Sequence, residues 1–227
     1  MIRVTFGKKG IDKRGKRNIE ECIRLNIPFG VYLYSYALNL QDAVQEANLL
    51  IREVLDYKEY IKYMCIDMED ADFYKKKNGF PTVETLCDII KCECNIFESR
   101  GFTPLIYASS YWFKTYLNSR ALDSIPKWIA WWDTKEENIN KEKYVMWQHT
   151  SKGKVGGING NVDLNVMFTN KKENSLLEDL KNYPEYAVST LEKLINKKAL
   201  LGENGKINLD ENSVRIFVIL DRLGLIW

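Results

Sequence analysis

Apolar residues along this chain recur at two spacings, every second residue or every three to four, and the two take turns. Ile2–Phe6 alternates as a short strand and runs into the polar loop G-K-K-G-I-D-K-R-G. Residues 18–25 place Ile19, Cys22, Ile23 and Leu25 at helical spacing. Residues 30–37 (G-V-Y-L-Y-S-Y-A) return to a strand, with Tyr32, Tyr34 and Tyr36 on one face. Residues 41–55 form a helix whose stripe is Ala43, Ala47, Leu50 and Val54, and 63–70 (Y-M-C-I-D-M-E-D) is again a strand. A Lys-rich loop closed by Gly79 and Pro81 follows. Thr82 then opens a long helix, with Glu84 in its first turn, that runs toward Gly101. Residues 103–109 are a strand, 111–117 a short helix and 127–132 a strand. Residues 144–150 and 162–168 are two more strands, joined through the glycine-rich K-G-K-V-G-G-I-N-G-N without a helix.

Strands alternating with helices predict an α/β fold, an irregular TIM-like β/α barrel whose last strands connect directly. Beyond about residue 170 the pattern changes. Residues 184–198 form an amphipathic helix, followed by a G-E-N-G turn, the segment K-I-N-L-D and a second helix over 211–223. The expected domains are therefore 1–170 and a small helical module, 171–227. About fifty residues make a weak core alone, so the module is expected to dock on the barrel or on a copy of itself, a possible homodimer.

Composition narrows the partners. The 227 residues carry a formal net charge of +2, which gives no electrostatic reason to expect nucleic acid or an anionic membrane. No apolar run approaches a membrane span, and MIRVTFGKKG lacks a secretory apolar core. The chain is thus expected to be made in the cytoplasm. Of its five cysteines, Cys87, Cys92 and Cys94 crowd together, but C-x4-C-x-C fits no zinc spacing. They read as small apolar residues of a helix, without disulfides. The run Gly153–Gly160 lacks the G-K-[ST] ending of a phosphate loop and precedes a strand.

The chemistry sits in D-M-E-D. Asp67 and Glu69 are two residues apart on a strand, so both leave one face, roughly 7 Å apart along the backbone. The competing reading is a strand running out into a solvated acidic loop. Tyr34, Tyr36, Tyr107, Trp131 and Trp132 fall at the carboxyl ends of strands, where a barrel has its mouth. Aromatic faces with carboxylates between them suit the cleavage of a glycosidic bond. Taken singly, each aromatic is better explained as core; as a set recurring at strand ends, they favour a groove.

In order and spacing, G-V-Y-L-Y-S-Y-A, I-D-M-E, P-L-I-Y-A-S-S-Y-W, K-W-I-A-W-W and M-W-Q-H-T-S-K-G-K-V-G-G-I-N-G-N-V-D-L-N resemble the family 25 glycoside hydrolases, the muramidases of phage endolysins and bacterial autolysins. The resemblance spans residue 1 to about 168. It implies cleavage of the β-1,4 bond between N-acetylmuramic acid and N-acetylglucosamine in bacterial peptidoglycan, usually with retention, and needs no metal or cofactor. It implies Glu69 as general acid, Asp67 as the group that orients the acetamido group or stabilises oxocarbenium-like charge, and Asp163 as a third catalytic acid. Tyr34, Tyr36, Tyr107, Trp132 and Gln148 would line the sugar subsites. Without a signal peptide, release through a holin is the expectation such a family carries. The C-terminal A-V-S-T-L-E-K-L-I-N-K-K-A-L-L-G-E-N-G-K-I-N-L is similar to half of a surface-layer-homology-like unit, which implies wall binding.

The chain departs from the family pattern at Leu33, where histidine is common, and at His149, where an aromatic is usual and which reads as a rim residue. No counterpart of the family's first strand, with its D-x-S and a further aspartate, is found. Seven strands are therefore expected where eight would close a barrel, with open edges at Ile2–Phe6 and at 162–168. An upstream start, a strand supplied by a partner, or a shortened product with impaired activity would each account for this. The alternative function is a peptidoglycan-binding protein that has lost turnover. An amidase or peptidase is disfavoured, since neither zinc ligands nor a Cys-His pair is evident.

Overall fold

A computed structural model describes residues 1–168, 176–197, 199–202 and 206–226. The predicted strands appear as β1 (Ile2–Phe6), β3 (Phe29–Tyr34), β4 (Ile61–Asp67), β5 (Pro104–Ser109), β6 (Lys127–Ala130), β7 (Met146–Gly153) and β8 (Val162–Met167). One strand was not anticipated: β2, the two residues Gly10–Ile11, turns back antiparallel on β1 and pairs Thr5 with Ile11 and Phe6 with Gly10. The sheet order is β2-β1-β3-β4-β5-β6-β7-β8, parallel from β1 to β7 and antiparallel at both ends. It curls as a half-barrel that does not close on itself, because among the described residues β8 pairs only with β7. The edge expected at β1 is partly covered by β2.

Helices α1 (Gly15–Arg24), α2 (Leu40–Val54), α3 (Tyr74–Lys77), α4 (Val83–Ser99) and α5 (Ser110–Thr115) fill the connections. The main core lies between the sheet and these helices, with Val31, Leu33, Met64, Ile66 and Ile106 meeting Ala47, Leu50, Leu86, Ile90 and Phe97. Cys87 and Cys94 belong to it, and all five cysteines are free. The opposite face of the sheet carries a smaller cluster of Cys65, Leu105, Trp128 and Met146, with Tyr32 and Tyr107 against it. Period-two alternation sorts the two sets, since residues one apart on a strand face opposite ways.

Thr82 caps α4 as its sequence position suggests, accepting a hydrogen bond from the Thr85 N–H at 3.1 Å. Replacing Thr82 with Ala is expected to cost about 1 kcal/mol, read as a lower midpoint in denaturant. An unchanged midpoint would show that α4 is held by packing alone.

Residues Met1–Phe168 form one compact unit and Thr169–Trp227 another. In the second, α6 (Glu185–Asn196) and α7 (Glu211–Arg222) enclose Leu191, Leu194, Ile195, Val214 and Val218 together with Leu176, Leu180 and Ile207. Asp221 ties the two helices, accepting from Thr190 at 2.7 Å and pairing with Lys193 at 2.9 Å. Residues 169–175, Lys198 at the end of the predicted helix and most of the G-E-N-G turn (203–205) lie outside the described residues. Among the described residues, no helix is long and apolar enough to cross a membrane.

Candidate active site

The strand expected over 63–70 ends at Asp67, so Asp67 leaves the sheet at the end of β4 while Glu69 lies in the loop beyond it. Asp67 is the last residue of β4 and is 7% exposed, while Glu69, two residues on, is half-buried. Across the sheet, register places Tyr34 on one side of Asp67 and Tyr107 on the other, with Trp128 beyond Tyr107. The Tyr107 and Trp128 rings pack at a centroid distance of 4.5 Å. Asp163 is exposed on β8, on the same face as Asn165, whose Oδ1 accepts from Trp128 Nε1 at 2.9 Å. That bond turns the Asp163 face of β8 toward the Trp128 face of β6.

Gln148 on β7 is buried and joins two aromatic positions to the site. Its Oε1 accepts from the Tyr107 hydroxyl at 3.2 Å and from Trp132 Nε1 at 3.0 Å. Trp131 parts company with this set. It borders a separate hollow with Tyr111, Phe113, Lys114 and Tyr144, so the expectation that it walls the groove with Trp132 is corrected. Adjacent residues leaving a strand turn to opposite sides, and only Trp132 takes the Gln148 side. His149 is half-buried, its ring 5.3 Å from that of Trp147.

On the other side of the acids lies a cleft of about 440 Å³ lined by Arg3, Phe6, Tyr34, Tyr36, Ala71 and Asp72. Tyr36 donates to Asp72 at 2.6 Å, and Tyr34 accepts from the Ala71 N–H at 3.2 Å, so β3 pins the loop that follows the acids. Gly7 has φ +57°, and a Cβ there would come within 2.9 Å of the Tyr36 ring, so this wall needs glycine twice over. Phe73, exposed in the same loop, holds φ +60°, a conformation that a bulky residue adopts only at a cost of about 1–3 kcal/mol. Asp70, the last letter of D-M-E-D, accepts from the N–H groups of Lys75 and Lys76 at 2.7 and 3.0 Å and caps the loop.

The electrostatics follow from burial. Burial pushes Asp67 well above the usual carboxylate range, and the charge on Glu69 adds to it; Lys75 and Arg3 oppose, and Asp163 adds again. Burial also raises Glu69, against Lys75, with Asp72 and Asp163 adding to the rise. The family resemblance implied Glu69 as the carboxyl held protonated, and Asp67 is the deeper of the two. One of its oxygens, Oδ1, is buried without a hydrogen-bond partner. Tyr32 is pushed up to about 12 by burial and by Asp67, and Tyr107 is raised by burial and by Asp67, Glu69 and Asp163. The three acids thus lie within electrostatic reach of one another and of Tyr107, and Asp67 and Asp163 within reach of Tyr32. Arg3, Lys75 and Asp72 were not anticipated as parts of this site. Arg3 stands on a strand and Lys75 among three consecutive lysines, so neither carried a motif.

Comparison with known proteins points the same way. The pneumococcal autolysin LytC, solved in complex with a synthetic peptidoglycan ligand, is 29% identical with a TM-score of 0.64, covering 73% of this chain and 39% of LytC. A family 25 glycosyl hydrolase from Bacillus anthracis is 26% identical with a TM-score of 0.62, covering 80% of each chain. The uncharacterized protein YegX of Escherichia coli O157:H7 is 25% identical over 184 residues, which are 81% of this chain and 64% of YegX. The chain therefore spans less than two thirds of YegX and well under half of LytC. The model of the family "Glycosyl hydrolases family 25" matches residues 1–158, and the chain belongs to that family.

Proposed function

We propose that this chain is a peptidoglycan hydrolase, an N-acetylmuramidase that cleaves the β-1,4 bond between N-acetylmuramic acid and N-acetylglucosamine. The observation that supports the reading is Asp67 at the end of β4 between Tyr34 and Tyr107, with the charges of Glu69 and Asp163 bearing on it. Glu69, half-buried and raised, gives its proton to the leaving glycosidic oxygen as the bond to the anomeric carbon breaks. Asp67 lies below it, and its partnerless Oδ1 suits the N–H of a 2-acetamido group or the positive charge growing on the sugar ring. Water then adds hydroxyl to the anomeric carbon and returns a proton to Glu69. Tyr34, Tyr36, Tyr107 and Trp132 offer ring faces to the sugars, with Gln148 holding two of those rings in place.

A second reading, binding without turnover, draws on the half-barrel: among the described residues β8 pairs with β7 alone, so the sheet does not close on that side. Purified cell walls distinguish the two. A hydrolase lowers turbidity and releases reducing ends without new free amines. Walls that bind the chain but release no reducing sugar favour the second reading, and amines without reducing ends would overturn both. For the second unit we infer wall binding or self-association. Ile216 and Ile219 on α7 and Leu223 just past its end are exposed at helical spacing, which suits a partner surface.

A further inference from the structure

Three acidic or basic side chains outside the cleft lining are buried between the sheet and its helices. Lys75 (α3), Glu46 (α2) and Glu93 (α4) are each at most 1% exposed. Burying a charge is tolerated only where it is paired or held by hydrogen bonds, so such a cluster needs a reason. The Lys75 ammonium donates to the backbone carbonyl of Ser35 and, at 3.0 Å, to that of Glu69. Ser35 in turn donates its N–H to the Asp67 carbonyl at 3.0 Å, and Glu46 Oε1 accepts from the Tyr36 N–H at 3.0 Å. Four cleft-forming backbone positions (35, 36, 67 and 69) are therefore held by one buried network.

We propose that Lys75 is a positioning residue of the acid pair: its ammonium, balanced by Glu46 and Glu93, fixes the backbone at Glu69 and supplies positive charge beneath both carboxyls. This rests on the muramidase reading for its role in turnover, but not for its electrostatics. Lys75 is faced by Glu46 from α2, Glu93 from α4, and Asp67 and Asp70 from the end of β4 and the loop after it. Glu69 is faced by Lys75, Asp72 and Asp163, and Asp67 by Glu69, Lys75, Arg3 and Asp163. Glu46 Oε2 and both oxygens of Glu93 are buried without hydrogen-bond partners, and the two carboxyls repel each other's charge. Burial pushes both carboxyls upward, and the charge on Lys75 opposes that rise in each. Among the charges that bear on Glu69, Lys75 is the cation that holds its carboxyl down against burial, and Arg3 joins it at Asp67.

Replacing Lys75 with Met should move both limbs of the pH–lysis profile up by about one pH unit, while Lys75→Arg should leave the profile in place. A carbon-13 titration of the Asp and Glu carboxyls in the whole chain should show the Asp67 and Glu69 midpoints rising in the same variant. If Lys75→Met does not fold, Lys75→Met/Glu93→Gln removes the cation together with one of its buried partners, and the same rise is expected. Unmoved carboxyl midpoints in a folded variant would overturn the proposal. If the unaltered chain releases no reducing sugar, the muramidase reading fails, and the carboxyl titration still decides the role of Lys75.

Discussion

Glu69→Gln is expected to abolish wall lysis, with a rate loss on the order of 10²–10⁴-fold, while sedimentation with cell walls is retained. The side chains are nearly the same size, and Glu69 is only half-buried, so packing changes little. What the amide lacks is a proton to give. Glu69 is raised by burial and by its acidic neighbours Asp72 and Asp163, and so keeps its proton at a pH where a free glutamate has lost it. A binding protein without turnover would show no lysis to lose and the same sedimentation before and after the change. Retained lysis in Glu69→Gln would move the acid role to another carboxyl, with Asp67 first in line because it is the more deeply buried.

The melting temperature of the first unit is expected to fall as pH rises from about 5 to 8, an unusual direction for a protein rich in ion pairs. The sign follows from Asp67, Glu46 and Glu93, each pushed upward chiefly by burial. A carboxyl whose folded pKa lies above its unfolded one favours the folded state while both forms are protonated. It loses that contribution as pH climbs from the unfolded pKa through the folded one. For Glu46 the window opens near its ordinary 4.5 and closes at about 7. At about 1.4 kcal/mol per unit, this one group accounts for on the order of 3 kcal/mol as an upper bound. Lys75, pushed down by burial, acts with the opposite sign, and its contribution grows as pH approaches the ordinary lysine range. Glu93→Gln removes one titrating group and the like charge beside Glu46, so the slope should flatten. A melting temperature that holds or rises between pH 5 and 8 would contradict this picture of the interior.

Much of this molecule was legible because two periodicities report two environments. Strands β3 to β8 and the long helices stand close to where alternation and helical spacing place them, with ends shifted by a few residues. The 30–37 strand stops at Tyr34 because the chain there turns to meet Asp72 and Glu46. β2 could not be read, since two residues carry no period. Glu46 and Glu93 left a signal that could have been used. Glu46 follows Ala43 by three and precedes Ala47 and Leu50, and Glu93 falls among Leu86, Ile89, Ile90 and Phe97, so both lie on apolar stripes. A charge at such a position implies a buried partner. That the partner is Lys75 and not Lys76 or Lys77 depends on how Asp70 caps the turn, a tertiary detail without periodicity.

The two bonds converging on the side-chain carbonyl of Gln148 fix more than ring positions. A free amide rotates by half a turn at little cost, exchanging its oxygen for its nitrogen. Here a phenol and an indole both present hydrogens to one end; the phenol could also accept, but the indole can only donate and would not tolerate an NH₂ in that place. The amide is thereby locked, its two remaining hydrogens turned away from both rings. Whatever meets that end of Gln148 must bring a lone pair, as a sugar hydroxyl or an acetyl oxygen does.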